Sequence, residues 1–394
     1  MSKKRIMVKY FQLAAPFAIC ISLLSGCNST TSTTTSEVKT VPVAAPTATS
    51  GERWGYLDHA GKWAIKPQFD QADTFSEKKA AVEFGDQWGF IDRTGSVTIQ
   101  PVYKRVRKFS DGMAAVVDDY KWGYIDSAGQ LVIKPQFKQA SEFSEDLGAI
   151  KSDELWGFVD KTGAVVVKPH YDEVGPFSEG LAAVKPSGGK WGYIDKTGQE
   201  VVPQGYDEAQ PFSGGYAAVA SEGKWGYVNA KGKLVIDRRF EKAWPFKDSI
   251  AEVRSNGQVG FVDKDGVLVV KQSYESREQF PEHRGLLAEG GKWGYLNEKG
   301  VQVIPSKFVE ALDFSEGRAV VRVNGKYGYI DPSGALKIPA KFTHARTFED
   351  GLAAASVAAS SLPKEAKTEA KPTPTTTTAT SASESKTSTE SKSK

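Results

Sequence analysis

The chain contains 394 residues, of which 40% are hydrophobic and 25% are charged, and its formal net charge is +3. Four positive charges lie in the first ten residues, and the tail beyond Ser356 has six lysines against four glutamates, so the central part of the chain carries a net charge of −3. This balance does not provide the basic surface that nucleic-acid binding requires, and we expect no nucleic-acid partner.

The N-terminus has the features of an export signal, in the expected order: basic residues, an apolar run from Leu13 to Leu24, and small residues before Cys27. The apolar run is too short to span a bilayer as a helix. The segment LLSGC at residues 23–27 resembles the lipobox of bacterial lipoproteins, in which cleavage precedes the cysteine and that cysteine is acylated. The alternative is an ordinary signal peptide followed by an unrelated cysteine.

The lipobox resemblance implies a lipoprotein signal peptide over residues 1–26 and attachment to a membrane through acylated Cys27. We therefore expect an exported protein, lipid-anchored to a bacterial membrane and facing the periplasm or the cell exterior. Cys20 lies within the predicted signal peptide. The mature chain would then have a single cysteine and no disulfide.

Two low-complexity segments flank the central region. Residues 27–50 are mostly Ser, Thr, Ala, Pro and Val, and residues 358–394 are rich in Ser, Thr, Ala and Lys. Neither composition can bury enough apolar surface to fold. We predict a disordered tether over residues 27–50, a repeat domain over residues 51–357 and a disordered tail over residues 358–394.

The central region consists of nine near-copies of one phrase, such as KWGYIDKTG at residues 190–198. Successive lead residues are 34 positions apart, with one interval of 35. The lead residues are Trp54, Trp88, Trp122, Trp156, Trp191, Trp225, Val259, Trp293 and Tyr327. In every copy Gly follows the lead, Tyr or Phe comes next, Gly recurs at position 7 after the lead, and Phe stands at position 21. A unit of this size cannot bury its own apolar surface, so the copies must pack on one another.

Each phrase predicts short strands. WGYID favours a strand with two apolar faces, and the Asp and Gly that follow favour a hairpin loop. A return strand such as LVIKP, a connector with two core aromatics and a last strand such as GLAAV complete the unit. We predict an all-β fold of antiparallel meanders with three strands per repeat, or four if the connector contributes one. The Gly after the lead residue indicates close approach by another group, and we expect an aromatic ring of a neighbouring repeat there.

The Trp and Phe pattern over residues 54–355 resembles the WG, or KWG, repeat family of bacterial proteins. The seventh copy departs from the pattern at Val259 and in the segment HRGLLAEGG, and the ninth departs at Tyr327. The resemblance implies an all-β repeat that occurs in exported or surface proteins. It implies no common reaction and therefore no catalytic residue.

The copies can pack either as a closed propeller-like ring or as an open superhelical array. The repeat region begins on a lead strand that lacks its preceding partner and ends on a strand, GLAAASV at residues 351–357, that lacks its following partner. In a ring these two ends would complete one sheet and remove two exposed edges. This phase favours the ring. Against the ring, nine is a large number of sheets for a propeller, and sheets of three short strands would be thin.

Side chains suited to catalysis do not recur at one position of the repeat. The histidines lie at different distances from their lead residues, and we interpret them as surface residues: His59, His170, His283 and His344. The sequence has no phosphate-binding glycine loop and no nucleophile spaced with a base. We expect no enzymatic activity, no bound metal and no cofactor.

An Asp or Asn does recur at position 4 after each lead residue, as at Asp126 and Asn229. One such side chain per repeat supplies few of the six to eight oxygens that calcium prefers. A type I turn, by contrast, favours Asp or Asn at its first residue. We therefore favour a turn role over a calcium site.

Trp244 is the candidate binding residue. It stands at position 19, where the other copies mostly carry polar residues, so we expect an exposed aromatic that could contact a sugar or a protein. A local packing change beside the atypical seventh repeat is the alternative. Together these features predict a membrane-anchored, non-enzymatic binding or scaffold lipoprotein with a protein or cell-envelope glycan partner. A structural envelope protein without a discrete ligand is the second hypothesis.

Overall fold

A computed structural model describes residues 51–247, 249–271, 282, 284–297 and 301–362. All of them belong to one compact unit, residues 44–394. The predicted signal peptide, Cys27, the tether before residue 51 and the tail beyond residue 362 lie outside the described residues, as does His283. No helix within these ranges is long and apolar enough to cross a membrane.

The described residues form 34 strands, numbered here in chain order, and one short 3-10 helix at Ala359–Ser361. Each repeat begins with a lead strand, which contains the Trp-Gly pair or its equivalent. The lead strands are β1 (Glu52–Leu57), β5 (Gln87–Asp92), β9 (Lys121–Asp126), β13 (Leu155–Asp160), β16 (Trp191–Asp195), β20 (Lys224–Asn229), β24 (Gln258–Asp263), β27 (Lys292–Asn297) and β31 (Lys326–Ile330).

An outer strand returns after the Asp-Gly turn. The outer strands are β2 (Trp63–Phe69), β6 (Val97–Tyr103), β10 (Leu131–Phe137), the first half of β14 (Val165–Ser178), β17 (Glu200–Tyr206), β21 (Leu234–Phe240), β25 (Leu268–Lys271), β28 (Gln302–Phe308) and β32 (Leu336–Phe342). The connector then contributes an inner strand. The inner strands are β3 (Gln71–Ser76), β7 (Arg105–Val106), β11 (Gln139–Ser144), the second half of β14, β18 (Glu208–Ala209), β22 (Lys242–Lys247), β29 (Ala311–Ser315) and β33 (His344–Glu349).

The last strand of each repeat is mostly small and aliphatic. These closing strands are β4 (Lys79–Phe84), β8 (Met113–Asp118), β12 (Leu147–Ser152), β15 (Leu181–Pro186), β19 (Tyr216–Ser221), β23 (Ile250–Ser255), β26 (Arg284–Glu289), β30 (Arg318–Val323) and β34 (Leu352–Ala358). The four-stranded sheets have the order outer, lead, closing, inner, as in β6-β5-β4-β3, and three strands of the sheet β28-β27-β26 lie within the described residues. A sheet therefore combines the second half of one repeat with the first half of the next, and the connector strand is the fourth.

The first and last strands close the array. Strand β1 pairs antiparallel with β34 from Glu52↔Ala358 to Leu57↔Ala353, which completes the sheet β2-β1-β34-β33. The closed ring, one of the two arrangements that the sequence allows, is therefore the observed one. Strand β14 runs through two successive sheets without interruption and joins them into one seven-stranded sheet.

The ring has two faces, an inner side and a rim. The Asp-Gly turns lie beside the starts of the closing strands, since Asp92 pairs with Lys79, and we call this end the turn face. The hairpins that precede the lead residues lie at the other end, which we call the hairpin face. Inner strands of neighbouring sheets contact each other, as β29 and β33 do, whereas the outer strands carry most of the exposed aliphatic side chains. The outer strands therefore form the rim.

The Gly after the lead residue is required by the backbone of its own repeat. A Cβ on Gly123 would lie 2.4 Å from the Ile133 carbonyl oxygen and 2.7 Å from the Pro135 nitrogen, both on the outer strand β10. The pairing of lead and outer strands shifts register at this point, as a β-bulge does. The expectation that a neighbouring aromatic ring makes this close approach is therefore wrong, because the outer-strand main chain occupies the space.

The second invariant Gly makes a contact between sheets. Gly95 has a φ of +88°, which favours glycine, and a Cβ there would lie 3.0 Å from the Ile65 side chain of the preceding sheet. A Cβ on Gly61 would likewise lie 2.9 Å from the Ile338 side chain, where the first and last repeats meet. In the eight repeats whose turn glycine is described, this glycine therefore packs one sheet on the previous one, including at the closure.

The aromatic residue of the lead strand lies in the core, as the sequence predicts. Tyr124 and Ile125 are fully buried on the two faces of β9, and Tyr124 packs edge-to-face on Phe143 with ring centroids 4.8 Å apart. The Tyr124 hydroxyl donates to the Ser141 carbonyl oxygen at 2.9 Å. Burial raises the pKa of Tyr124 well above its usual value, so the hydroxyl keeps the proton that it donates.

Candidate functional site

The sequence singles out Cys27 and Trp244 as site residues. Cys27 lies outside the described residues. Trp244 lies on the inner strand β22, and its carbonyl oxygen accepts a hydrogen bond from the Tyr227 hydroxyl at 2.8 Å. Its side chain is half-buried, which is less exposure than the polar residues of the other copies suggest.

Two arginines at position 19 reach the lead residue of the following repeat. The Arg107 guanidinium lies 5.4 Å from the centroid of the Trp122 ring. Arg346 takes the equivalent place over Trp54, at 5.5 Å, across the junction of the last and first repeats. Each arginine also donates its Nε to a main-chain carbonyl of the neighbouring inner strand. Arg107 and Arg346 therefore link adjacent sheets.

By the same spacing, the lead residue that follows Trp244 is Val259, the smallest lead residue in the chain. Val259 is 2% exposed, so the lead position is buried even when it holds a small side chain. The largest residue at position 19 thus precedes the smallest lead residue. This combination suits packing, because one indole can fill volume that a lead Trp fills elsewhere.

Three more lead aromatics lie under a cation. A Lys or Arg lies over the ring of three further lead residues, at 4.7–5.9 Å from the centroid: Trp156, Trp225 and Tyr327. Cation and ring attract each other through the ring quadrupole. One face of each of these five rings, counting Trp54 and Trp122, is therefore occupied by a cationic side chain and is not an open stacking platform.

The described histidines do not converge. His59 stacks on Phe348 with ring centroids 4.3 Å apart, on the turn face. His344 stacks on Trp54 on the hairpin face, and its Nδ1 lies 3.0 Å from the Glu52 carboxylate. Both lie where the last repeat meets the first. In the described part of the chain, no group of three His, Cys, Asp or Glu side chains is placed to hold a metal ion.

The recurring Asp at position 4 serves its own turn. One carboxylate oxygen of Asp126 accepts the main-chain N–H groups of Ala128 and Gln130 at 2.9 and 2.8 Å. In Asp160 the Thr162 hydroxyl and main-chain N–H groups donate to the carboxylate, which holds its pKa below the usual value. The turn role expected for these residues is therefore observed.

A family model, described as the WG-containing repeat, matches residues 54–88, 88–122, 122–156, 156–191, 191–225, 225–258, 293–327 and 327–357. The chain belongs to this family. The matched segments omit the repeat that begins at Val259, yet that repeat retains its lead strand β24 and its outer strand β25. The count of nine repeats made from the sequence therefore exceeds the eight matched segments by a divergent copy.

Comparison with solved structures gives matches at low sequence identity. A eukaryotic initiation factor superposes with a TM-score of 0.54 and 13% identity, covering 72% of this chain and 94% of that one. BamB from Moraxella catarrhalis gives a TM-score of 0.42 and 10% identity, covering 73% and 95%. The computationally designed protein Ika8 gives 0.43 and 16%, covering 66% and 94%. No curated protein sequence matches the chain.

The WG-repeat protein has an exposed aromatic residue that comparison of the nine copies did not identify. Tyr120, at the tip of the hairpin between β8 and β9, is 95% exposed and has a φ of +63°. Left-handed backbone is unfavourable for a bulky side chain. Four later hairpins carry a glycine with positive φ at this place: Gly223, Gly257, Gly291 and Gly325. The replacement of a hairpin glycine by Tyr is the signal that would have found it.

A second feature missed from the sequence is a belt of carboxylates on the turn face. At position 23 an acidic side chain accepts a main-chain N–H of the next sheet, as Glu145 does from Gly180 at 2.9 Å. The same link joins Asp350 to the Lys78 N–H at 2.8 Å across the closure. The other described members are Glu77, Asp111, Glu179, Glu282 and Glu316. These acids are used in holding adjacent sheets together.

Proposed function

We propose that this WG-repeat protein is a membrane-anchored, non-enzymatic binding or scaffold lipoprotein that presents its ring to a protein or a cell-envelope glycan. The anchor would be acylated Cys27, preceded by the LLSGC pattern. The proposal is supported by what the repeated residues do. Tyr, Phe, Gly and acidic residues that recur in the copies are used in packing or in contacts between sheets, which leaves recognition to residues that differ between copies.

Tyr120 is the observation that carries the binding role. Its ring is 95% exposed in a backbone conformation that costs about 1–2 kcal/mol for a residue other than glycine. Strained conformations persist where function requires them, and exposed Tyr residues are frequent anchors of recognition. We infer that the hairpin of Tyr120 is the part of the hairpin face that contacts the partner.

Site-specific photo-crosslinking tests this proposal in the native envelope. A photoreactive residue replaces Tyr120 in the full chain, and a matched control carries it at Lys292, an exposed residue of the repeat 8 hairpin. We expect one reproducible crosslinked partner from position 120 and none from position 292. The absence of any partner from position 120 would favour a structural envelope protein without a discrete ligand.

The anchor is tested separately. Metabolic labelling with a fatty acid, followed by fractionation, should place the label and the protein in the membrane fraction. Cys27→Ala should abolish both. Retained labelling in this variant would contradict attachment at Cys27, and turnover of a metabolite by the purified protein would contradict the non-enzymatic assignment.

A further inference from the structure

The rim of the ring presents alternate residues of each outer strand to solvent. Val132, Lys134 and Gln136 are exposed on β10, whereas the intervening Ile133 and the last residue, Phe137, are buried. This alternation follows from the two-residue period of a strand. Each outer strand thus displays one row of side chains, and the composition of that row differs between repeats.

Three successive outer strands combine exposed aliphatic side chains with basic ones. We call this surface the rim sector; it comprises residues 97–103, 131–137 and 165–171. Its exposed aliphatic residues are Val102, Leu131, Val132, Val165 and Val166, which are 38–56% exposed. Lys134 and Lys168 stand beside them, also exposed, and none of the three strand segments contains Asp or Glu. An aliphatic and basic surface without acids is the result.

Charge is segregated between the rim and the rest of the ring. The nine outer strands together carry nine Lys or Arg against two Asp or Glu, although the repeat region as a whole has three more acids than bases. Some of the acids lie on the turn face, in the carboxylate belt and in the Asp-Gly turns, and others lie in the hairpins and connectors, such as Asp119, Asp153 and Asp207. The outer strands are therefore basic, although the total charge of the chain is close to neutral.

We propose that the rim sector docks on the surface of an anionic phospholipid bilayer. Lys134 and Lys168 would pair with lipid phosphates, while Val132, Val166 and Leu131 enter the headgroup region. Basic residues near an anionic leaflet and aliphatic residues at the acyl boundary both favour such binding. The ring would then stand edge-on to the membrane, and this contact does not require acylation of Cys27.

A bilayer accounts for both components of the sector. A soluble polyanion would need the lysines alone, and a second copy of this chain would bring a like-charged rim against this one. Exposed valines at 38–53% beside lysines fit a surface that offers phosphate and hydrocarbon at adjacent depths. The exposed apolar residues otherwise remain in water without a partner in the described structure.

Vesicle binding by residues 44–394, which form a separate compact unit, tests the proposal. We expect sedimentation with phosphatidylcholine–phosphatidylglycerol vesicles, weak binding to pure phosphatidylcholine and a loss of binding at high salt. Lys134→Glu/Lys168→Glu should lower the partition coefficient at least about tenfold. The control Lys224→Glu/Lys231→Glu changes the net charge equally outside the outer strands and should bind as the wild type does.

The variant Val132→Ser/Val166→Ser distinguishes a bilayer from the other possible partners of the rim sector. Docking on a bilayer predicts a loss of about fivefold or more in partition with the charge unchanged. Equal binding by this variant and the wild type would overturn the proposal, as would equal losses in the two lysine pairs. A wild-type dimer that this variant abolishes, without vesicle binding, would also overturn it and would assign the sector to a second copy. Circular dichroism of each variant checks that the ring is intact.

Discussion

The Gly after the lead residue allows a quantitative test of the fold. We predict that Gly123→Ala destabilises the ring severely, because its Cβ would lie 2.4 Å from the Ile133 oxygen and 2.7 Å from the Pro135 nitrogen. A relaxed carbon–oxygen contact is about 3.3 Å, so the two strands must separate by roughly 0.9 Å. Both obstructing atoms belong to the main chain, and no side-chain rotation can relieve the contact.

The cost is larger than that of an ordinary overpacked core. Overpacking by side chains costs about 1–3 kcal/mol, and here the strand pairing itself must shift. We therefore expect a loss of about 3 kcal/mol or more in the free energy of unfolding, or loss of the affected sheet. Gly205→Ala is the matched control, since Gly205 lies in a strand as Gly123 does, the outer strand β17, and its nearest neighbour is 4.0 Å from the added Cβ.

Denaturant unfolding followed by tryptophan fluorescence and far-ultraviolet circular dichroism measures both variants. Coincident transitions by the two probes are needed before a free energy is extracted, because repeat arrays can unfold in parts. Gly205→Ala should be neutral or stabilising by a few tenths of a kcal/mol. A Gly123→Ala midpoint within error of the Gly205→Ala midpoint would refute the close-approach argument.

Three further predictions concern packing, hydrogen bonding and acid stability. Trp244→Ala should lower the unfolding free energy by about 1–2 kcal/mol and Val259→Trp should restore part of that loss; an unchanged midpoint for Trp244→Ala would return Trp244 to the role of a surface contact. Tyr124→Phe should cost about 1 kcal/mol, because the carbonyl that its hydroxyl contacts loses a buried donor; a neutral effect in thermal unfolding would show that water replaces the donor. Hydrogen bonds from neighbouring hydroxyl and N–H groups lower the pKa of Asp160 and Asp195 on folding, so their stabilisation is present above about pH 4 and is lost as the pH falls through the folded-state pKa. Asp160→Asn/Asp195→Asn should therefore flatten the acid limb of a stability–pH profile, and an unchanged slope would contradict this account.

Most of the fold could be predicted because each structural requirement of the repeat recurs at the same position in nine copies. Agreement between copies identified the buried aromatic of the lead strand, the turn at position 4 and the incomplete sheet at each end of the repeat region. Where every copy needs the same property, such as the burial of Tyr124, the same residue type recurs at the same position of the repeat. The phase of the two ends favoured the ring over the open array, and the pairing of β1 with β34 decides between them.

Contacts between copies were harder to predict. The acid at position 23 is visible in the sequence, but its main-chain partner lies in the next sheet, and only the geometry identifies the Glu145 carboxylate as a link to Gly180. The obstacle at Gly123 was misassigned for a similar reason, because a bulge in the strand pairing cannot be derived from composition. Tyr120 was missed because attention to shared positions conceals a residue that departs from them.

The pairing of β1 with β34 also determines how the ring would respond to tension. Glu52 and Ala358 lie side by side at the hairpin face, and the chain leaves the ring from both. A load between the segments that precede and follow the ring would act at one end of this antiparallel pair. Its hydrogen bonds would then open one after another rather than share the force, so the junction of the first and last repeats would be the first part of the ring to open.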